Sequence, residues 1–582
     1  MLNELDPEQV AEIIEASFGA SPIPCLTDPA ARQRARETAR RHGLAERIEA
    51  ELTGDVPIPV VPYTRFRDYR LNGNRTRCQA IQSRRTRQME LAALACLLGQ
   101  DYRDYLHDLL WAECESTWWV MAAHERHGTP IDLRAALTAC QCAVILTALR
   151  DEIEPEVRER VLDEIQRRVL RPYLSDEHRH GWKTSTNNWN AVCIGSVLIT
   201  AMLLETEGPR LGRIVADGLT HLESFLAGFA PDGGCTEGPS YWRFGFGWYI
   251  RLAAALQEFT GGRIDIGGSA GIGAIARYPL SVVLAPGREL TFADAHAGFQ
   301  DPVTVRLINR FHDVPGLYGL CRLRGDGEPE LDSLESLLLY DGWTARPLCD
   351  GKDHFLAGLG LALVRAGGTS LGAKAGHNAE HHNHNDVGSF LVFRNGVDYL
   401  TDPGAPVYSA ATFSARRYES IFCNSLGHSV PVIDGRQQPA GRQFAGRIEV
   451  DGKAVRIEMA RAYDGEPLKR LGRVLELLED GAEVRLADVV EFDGAPRPVE
   501  EAFITTHPVE IAADGSSVTI RPDGAPPATL SADGCAGRFA LREFLEESKA
   551  EARTGEVVRR ITFTPATLAA SMTLSFVLRF GR

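Results

Sequence analysis

The sequence predicts a multidomain α+β protein, with a helical first part and an antiparallel β second part. Between residues 86 and 280, apolar residues recur at the spacing of one helix face, and short connections separate the segments. This arrangement favours antiparallel helix pairs. Beyond residue 350 come short runs rich in β-branched residues and separated by turn residues. We therefore place a domain boundary near residue 350.

The helical part is predicted to form one domain, 86–350. Its helix-period segments are 87–99, 102–126, 132–153, 155–174, 188–206, 213–229 and 241–259. Because no exact repeat is present, a regular solenoid is not expected, whereas stacked helix pairs that close into a toroid fit the spacing. Residues 1–85 are polar and helix-prone with an irregular proline-rich piece, and we expect them to pack on this domain as an extension.

The remainder, 351–582, is predicted to be an antiparallel β-sandwich. Its strand-like runs are 359–367, 389–402, 447–463, 474–492, 516–524, 559–565 and 573–580. Dipeptides typical of two-residue hairpin turns lie between such runs. They are Asn395-Gly396, Asp451-Gly452 and Asp480-Gly481.

Composition excludes several classes of function. The chain has 582 residues with 63 Lys and Arg against 78 Asp and Glu, a net charge of −15, which argues against general binding of nucleic acid or anionic membranes. The net negative charge is still compatible with an anionic substrate that binds in a locally basic cleft. The sequence has no uninterrupted run of 18 apolar residues, so it predicts no membrane span. Twelve scattered cysteines and an acidic N-terminus predict a reduced cytoplasmic protein, with the periplasm as the alternative.

Histidines are concentrated in segment 376–390, which has the sequence GHNAEHHNHNDVGSF and directly precedes a strand-like run. The predicted hairpin would place Ser389 opposite Asp402, so that the segment around His384 ends near Asp402. Histidine and carboxylate are ligands of first-row metals, zinc foremost, and His428 is a third candidate. A solvated histidine run is the alternative.

A second cluster has the sequence STNNWNAVCIGS, 185–196, and opens a predicted helix. Helix capping explains one or two of its three asparagines, Asn187, Asn188 and Asn190. A carboxamide can also donate to a carboxylate, or to a developing enolate oxygen, while staying neutral.

A third cluster has the sequence DGGCTEGPSYWRFGFGWY, 232–249. Pro239 and Ser240 predict a helix start, which places Tyr241 in the first turn. The aromatic residues that follow are interpreted as a core stripe, with stacking on sugar faces as the alternative. A tyrosine has a pKa of about 10, so its use as a base requires nearby positive charge or hydrogen bonds to the phenolate.

These clusters, in this order and context, resemble the heparinase II/III-like polysaccharide lyases. The matching pieces are NNWNAV (187–192), GGCTEGPSYW (233–242), HHNHNDVGSFLVFRNG (381–396), TDPGAPVY (401–408) and SARRYES…GHSVPVIDG (414–435). The resemblance implies an N-terminal (α/α) toroid followed by a C-terminal antiparallel β-sandwich, with the substrate cleft between them.

The resemblance also implies roles for single residues. Asn188 corresponds to the asparagine that neutralises the substrate carboxylate, and Tyr241 to the tyrosine that serves as general base, general acid or both. His382 corresponds to the histidine that faces the substrate. Tyr418 is similar to a second tyrosine near the leaving group in some members. We expect Tyr241 to face Asn188 and His382.

Further positions are implied for substrate and metal. Substrate contacts are expected from Arg416, Arg417, Trp189 and Trp242. Trp189 stands where some relatives carry histidine. His384, Asp402 and His428 fall where relatives that have zinc bind it, and this zinc is interpreted as structural.

The expected activity is β-elimination in an anionic polysaccharide or oligosaccharide, which needs no redox or nucleotide cofactor. The expected substrates are glycosaminoglycans such as hyaluronan, chondroitin and heparan sulfate, with alginate or oligoalginate as the alternative. A toroid-type glycoside hydrolase is a rival interpretation, for which Glu237 and Asp294 are the available carboxylates. A metal-dependent hydrolase and a non-catalytic carbohydrate-binding protein rank lower.

Overall fold

The computed structural model describes residues 6–52, 57–125, 130–175, 177–348, 351–465 and 467–581. The chain divides into two compact units. The first consists of Met1–Gly228, Trp242–Ala276 and Gln300–Pro347, and the second of Phe229–Tyr241, Arg277–Phe299 and Leu348–Arg582. Residues 349–350, where the sequence predicts the domain boundary, lie outside the described residues.

Helices form the first part of the chain, as predicted. They are α1 (Pro7–Ala16), α2 (Pro29–Arg41), α3 (Leu44–Leu52), α4 (Tyr63–Phe66), α5 (Asp68–Asn72), α6 (Thr76–Leu98), α7 (Arg103–Glu115), α8 (Leu133–Ala148), α9 (Pro155–Ile165), α10 (Arg171–Tyr173), α11 (Asn188–Leu204), α12 (Gly208–Leu226), α13 (Pro239–Thr260), α14 (Ala270–Val282), α15 (Pro302–Phe311) and α16 (Leu334–Leu339). A π-helical turn, Gln166–Leu170, joins α9 to α10. Helix α11 is buried along most of its length and apolar on every side, the pattern of a central helix.

The helix predicted over 102–126 is too long. Helix α7 ends at Glu115, and the backbone of Ser116 is extended. Trp119 is buried, and its indole N–H donates to the Glu113 carbonyl at 2.9 Å. The buried guanidinium of Arg134 in turn donates to the Trp119 carbonyl at 2.9 Å. Burial of Trp119 therefore ends the helix, and Arg126 lies outside the described residues.

Antiparallel sheets form the second part of the chain, also as predicted. The strands are β1 (Val283–Ala285), β2 (Arg288–Glu289), β3 (His354–Leu356), β4 (Leu361–Ala366), β5 (Thr369–Lys374), β6 (His377–Asn378), β7 (Phe390–Arg394), β8 (Val397–Leu400), β9 (Val432–Ile433), β10 (Gly441–Ala445), β11 (Arg447–Asp451), β12 (Ala454–Glu458), β13 (Leu468–Leu477), β14 (Glu483–Phe492), β15 (Val499–Thr505), β16 (Val509–Ile511), β17 (Ser517–Ile520), β18 (Ala528–Ala532), β19 (Gly537–Phe544), β20 (Val558–Pro565) and β21 (Ser571–Phe580). Helix α17 (Leu545–Glu551) lies between β19 and β20.

Within the described residues, three larger sheets share one apolar core. Their strand orders are β3-β4-β5-β7-β8, β11-β12-β13-β14-β21-β18-β17-β16 and β19-β20-β15-β9. Phe390 of β7, Phe503 of β15 and Phe576 of β21 meet edge-to-face inside this core, with ring centroids 6.3 and 5.1 Å apart. Rings from three different sheets therefore pack together, as in a sandwich.

The hairpin of β7 and β8 turns at Asn395 and Gly396, as predicted. Both residues have positive φ, 49° and 93°, which a two-residue turn between twisted strands requires. The predicted register holds for two residue pairs and then shifts, because Val392 pairs with Leu400. The extra residue, Tyr399, is buried and donates from its hydroxyl to the Pro526 carbonyl at 2.7 Å. The expected pairing of Ser389 with Asp402 is therefore wrong by one residue.

Two buried arginines of the β part fix the loops that carry the histidines. Arg473 donates to the carbonyl groups of Gly388 at 2.8 Å and Ser429 at 2.6 Å. Arg560 donates to the His428 carbonyl at 3.2 Å. Because buried carbonyl groups need donors, these guanidinium groups hold both loops in place.

None of the described helices combines the length and the apolar character that a membrane-spanning segment needs. The cysteines within the described ranges are free thiols, and most of them are buried. Burial raises the pKa of thiols such as Cys96, to about 11, so such thiols stay protonated at neutral pH.

Candidate active site

Tyr241 lies in the first turn of α13, and its ring stacks on the imidazole of His382. The ring centroids are 4.1 Å apart and the planes differ by 18°. The Tyr241 hydroxyl is hydrogen-bonded to the hydroxyl of Tyr408. Pro239 is the first residue of the helix, as the sequence predicts. Two residues assigned to catalysis by the resemblance are thus in direct contact.

His382 has a left-handed backbone with a φ of 58°, which is uncommon for a residue with a side chain. Asp294 holds it from two directions. The Asp294 backbone N–H donates to the His382 carbonyl at 3.1 Å, and Oδ2 lies 2.8 Å from Nδ1 of the ring. A carboxylate can only accept, so Nδ1 carries the proton. Nε2 then lies 3.7 Å from Oε2 of Glu237.

The Asp294 carboxylate is the centre of the site. It accepts hydrogen bonds from His382, from Nε2 of His384 at 3.0 Å, from Arg417 at 2.8 Å and from the Tyr408 hydroxyl at 3.1 Å. Burial alone would raise the pKa of Asp294, but the hydrogen bonds from the two histidines and the charge of Arg417 hold it well below its usual range. Asp294 is therefore ionised.

This arrangement argues against Asp294 as the general acid of a glycoside hydrolase. That reaction needs one carboxyl group that is protonated and can donate to the leaving oxygen. Asp294 is ionised and both of its oxygens already accept hydrogen bonds. Glu237, the other available carboxylate, is buried beside the same histidine.

Tyr408 was missed by the sequence analysis, although it ends the matching piece TDPGAPVY. The guanidinium of Arg553 lies 4.7 Å from its ring centroid. Burial and the nearby Asp294 carboxylate raise the pKa of Tyr408 and that of Tyr241 above the ordinary value. Both phenols are therefore neutral at physiological pH.

Phe413 gives this cluster an exposed apolar edge. Its side chain is 49% exposed, and its ring meets His382 and Tyr408 edge-on with centroid distances of 6.4 and 4.9 Å. The sequence offered no signal for Phe413, because a single phenylalanine in a loop carries no pattern.

The residues of segment 416–419 differ in whether they lie at the site or in solvent. Arg417 donates to the Asn383 carbonyl at 3.0 Å in addition to its bond to Asp294. The Tyr418 hydroxyl donates to Oδ1 of Asn383 at 3.0 Å, so Tyr418 borders the histidine loop. Arg416 points into solvent and pairs with Glu419 at 2.8 Å. Arg417 is thus built into the site, whereas Arg416 is an exposed surface residue.

The three predicted metal ligands lie together and are buried. Nδ1 of His428 is 2.8 Å from Oδ2 of Asp402, and the rings of His384 and His428 are 5.0 Å apart. Asp386 is a further candidate ligand, because the ligand atoms of His384, Asp386 and His428 all lie within 4.8 Å of one another. Lys374 pairs with the other side of Asp386 at 2.8 Å.

This group of residues fits a zinc ion. Among the described residues, Nδ1 of His384 and Oδ2 of Asp386 are buried and have no hydrogen-bond partner. Buried polar atoms without partners are uncommon and point to a missing ion or water. Cys423, with His384 and Asp294, offers a thiol within the same 4.8 Å limit. Imidazole, carboxylate and thiolate are the ligands that zinc prefers.

In the first unit, the three asparagines of the second cluster have different roles. Asn187 caps α11, because its side chain accepts from the backbone N–H two residues on at 3.1 Å. Asn190 donates to two backbone carbonyl groups at 2.7 and 3.0 Å. Asn188 is buried in the first turn, where a Cβ on Gly245 would come within 3.0 Å of its own Cβ. A glycine there lets α13 approach Asn188.

The two tryptophans expected at the substrate lie in the first unit. Trp189 packs edge-on against His124 at 4.6 Å, and Nδ1 of His124 is 2.8 Å from Asp132. Trp242 is 1% exposed, and its indole N–H donates to the Ile275 carbonyl at 2.8 Å. A sugar cannot reach a ring buried in this way, so the expected substrate contact of Trp242 is wrong. The interpretation as a core residue fits Trp242.

Residues 351–570 match the family described as heparinase II/III-like, C-terminal. No curated protein is similar enough in sequence to be reported as a relative.

Solved structures with the same fold cover nearly the whole chain. A crystal structure of heparinase III is 13% identical with a TM-score of 0.62, covering 99% of this chain and 93% of its own. A mutant of heparan sulfate lyase HepC from Pedobacter heparinus is 12% identical with a TM-score of 0.58, covering 97% and 93%. Chondroitin AC lyase from Streptomyces coelicolor A3, in complex with chondroitin sulphate, is 13% identical with a TM-score of 0.51, covering 95% and 82%.

These matches confirm the resemblance and the fold class that the sequence motifs predict. Residues 351–570 therefore match the heparinase II/III-like C-terminal family model, and the chain shares the fold of these lyase structures.

Proposed function

We propose that this protein is a polysaccharide lyase that cleaves uronic-acid-containing glycosaminoglycans by β-elimination. The observation that carries the proposal is the stack of Tyr241 on His382, with the Tyr241 hydroxyl bonded to Tyr408. The proposal is further supported by the fold shared with proteins named heparan sulfate lyase and chondroitin AC lyase.

The chemistry requires help at the substrate carboxylate. The hydrogen at C5 of a uronic acid is only weakly acidic, and its removal produces an enolate whose charge must be stabilised. We assign this stabilisation to Nε2 of His382, since its other nitrogen is bonded to Asp294. The resemblance assigns Asn188 to the same carboxylate. The Asn188 amide can donate to the developing charge, and Nε2 of His382 can donate to it when the ring is doubly protonated, because the Nδ1 proton is already bonded to Asp294.

Tyr241 is the proposed base that removes the C5 hydrogen. In the free protein its pKa is raised, so the phenol is neutral and must release its proton to solvent before the phenolate can take the C5 hydrogen. The Tyr408 hydroxyl has one proton and donates it to Asp294 in the free protein; if it turns to donate to the Tyr241 phenolate instead, it lowers that cost. The departing C4 oxygen then takes a proton from Tyr241 or from a second tyrosine. Tyr408 is added here to Tyr418 as a candidate for this second role.

Zinc has a structural role in this proposal. His384 and His428, with the carboxylates of Asp402 and Asp386, would hold the ion, which neutralises charge and supports folding. His384 lies two residues from His382, so a fixed His384 keeps the strained backbone of His382 in position.

The test is an elimination assay on separate substrates. Purified protein is incubated with hyaluronan, chondroitin, heparan sulfate or alginate, and the ultraviolet absorbance of the new conjugated alkene is followed. We expect absorbance to rise with at least one glycosaminoglycan and not with the Tyr241→Phe variant. Reducing ends that appear without absorbance would indicate hydrolysis, and a rise with alginate alone would replace the proposed substrate class.

A further inference from the structure

The first unit contains a cavity of about 750 Å³ that the elimination chemistry does not use. Helices α6, α8 and α13 line it, together with the segment that leads into α16, and every lining residue belongs to the first unit. Its size is in the range of cavities that bind small molecules, about 300–1,000 Å³.

One wall of the cavity is aromatic. Phe244 and Trp248 are four residues apart on α13, so both project from the same face of the helix. Both are half-buried. Their neighbours Trp242 and Phe246 are buried in the core, which leaves these two rings to face the open space. The aromatic run that the sequence presents as one stripe is thus divided between a core and a cavity.

A second part of the lining, on α6, is polar. Gln79, Gln82, Ser83 and Thr86 occupy positions i, i+3, i+4 and i+7, which lie on one face of the helix. Gln82 is 4% exposed, and among the described residues its Oε1 has no hydrogen-bond partner. A buried amide oxygen without a partner is destabilising, so a ligand hydroxyl that donates to it would be stabilising.

Charged groups of the lining are largely neutralised within the protein. The ion pairs join Arg87 to Glu51, Arg134 to Glu113 and Glu335 to Arg251. Burial raises the pKa of Glu90, which accepts from the backbone N–H of Leu334 at 2.6 Å. Arg75 and Asp332, which also line the cavity, add one basic and one acidic side chain. The cavity therefore offers aromatic rings, amides and hydroxyls, with basic and acidic side chains in equal number.

We propose that this cavity binds an uncharged pyranose sugar. The apolar C–H face of the ring stacks on Trp248, and the sugar hydroxyls bond to Gln82 and its polar neighbours on α6. Aromatic rings and amides in one cavity match the two kinds of surface of a pyranose, one apolar and one lined with hydroxyls. The proposal goes beyond the lyase activity, because binding needs neither a carboxylate nor the Tyr241 site.

The test is calorimetric titration of the full-length protein at millimolar sugar. The probes are cellobiose, maltose and N,N′-diacetylchitobiose, with glucuronic acid as the charged comparison. We expect at least one neutral disaccharide to bind, and glucuronic acid to bind at least about tenfold more weakly. Absence of binding by all three disaccharides, or equal binding of glucuronic acid, would overturn the proposal.

Variants locate the binding. Trp248→Ala and Gln82→Leu should each weaken binding by about tenfold or more. Trp111→Ala is the matched control, because Trp111 is an exposed indole on α7 and does not line the cavity. Gln82→Leu keeps the side-chain size, and melting curves verify that each variant folds. Binding unchanged in both cavity variants would place the sugar elsewhere. Tyr241→Phe should bind the sugar normally, so a failed lyase assay does not affect this result.

Discussion

Oδ2 of Asp294 lies 2.8 Å from Nδ1 of His382, while Oδ1 of the same carboxylate lies 3.0 Å from Nε2 of His384. One buried acid thus connects the histidine proposed to face the substrate with the histidine proposed to bind zinc. Because it accepts the Nδ1 proton of His382, Asp294 fixes which ring nitrogen is left for the substrate.

Asp294→Asn should lower kcat by about 10- to 100-fold with a smaller change in KM, because the ring of His382 loses its ionised partner. Steady-state rates from the elimination assay measure the effect. Asp514→Asn, an exposed turn position, is the control. An unchanged kcat in a folded Asp294→Asn variant would remove Asp294 from the positioning role.

Tyr408→Phe should lower kcat by about 100-fold or more, since it removes the hydroxyl that bonds to both Tyr241 and Asp294. Tyr105→Phe is the matched control, because the Tyr105 hydroxyl is buried without a hydrogen-bond partner in the described chain. Equal rates for the two variants would show that Tyr408 has no part in proton transfer.

The elimination rate should rise with pH across the neutral and mildly alkaline range. Tyr241 contacts Tyr408 and His382, and the charges of Asp294, Glu237 and Arg553 act on it. Burial, with the charge of Asp294, raises the pKa of Tyr241 above its ordinary value of about 10. The deprotonated base is therefore a minor form that increases as pH rises. A kcat that falls from neutral to alkaline pH, while the protein stays folded, would argue against Tyr241 as the base.

Zinc should copurify with the protein, and elemental analysis can measure it. His428→Ala should abolish the bound zinc and lower the melting temperature, because the variant leaves Asp402 buried without its partner. His381→Ala, at an exposed position of the same histidine-rich segment, is the control and should retain the metal. Full zinc content in His428→Ala would exclude His428 as a ligand.

Glu380→Gln should stabilise the protein above neutral pH. Burial raises the pKa of Glu380 to about 7, partly offset by Lys374. The unfolded chain releases this proton at lower pH, so stability is lost as pH rises towards 7, by roughly 3 kcal/mol at most. The glutamine variant avoids the loss. Its melting temperature should exceed that of the wild type at pH 8 and match it near pH 5, and Glu419→Gln, an exposed position, should show no such gap.

Local patterns explain what the sequence could predict. Helix periods, Asn-Gly turns and the three polar clusters depend on residues close together in the chain. Tyr241, His382 and the proposed zinc ligands could be named because each lies within one of the pieces that match the family. Asp294 is different, because its partner His382 is 88 residues away and nothing in its own segment indicates the pairing.

The wrong hairpin register and the wrong substrate contact of Trp242 both result from tertiary contacts. The bulge at Tyr399 follows from burial of its ring and a hydroxyl bond 127 residues along the chain. Trp242 and Trp248 are indistinguishable in the sequence, and only the packing of α13 buries one and leaves the other beside a cavity. Tertiary contacts of this kind override local pattern.

The most direct test of the central claim is the mass of the products from one defined glycosaminoglycan oligosaccharide. Elimination consumes no water, so the two product masses should add up to the mass of the substrate, and one product should carry the C4=C5 double bond. Products whose summed mass exceeds the substrate by one water would contradict the account, because Tyr241 would then not be the base of an elimination.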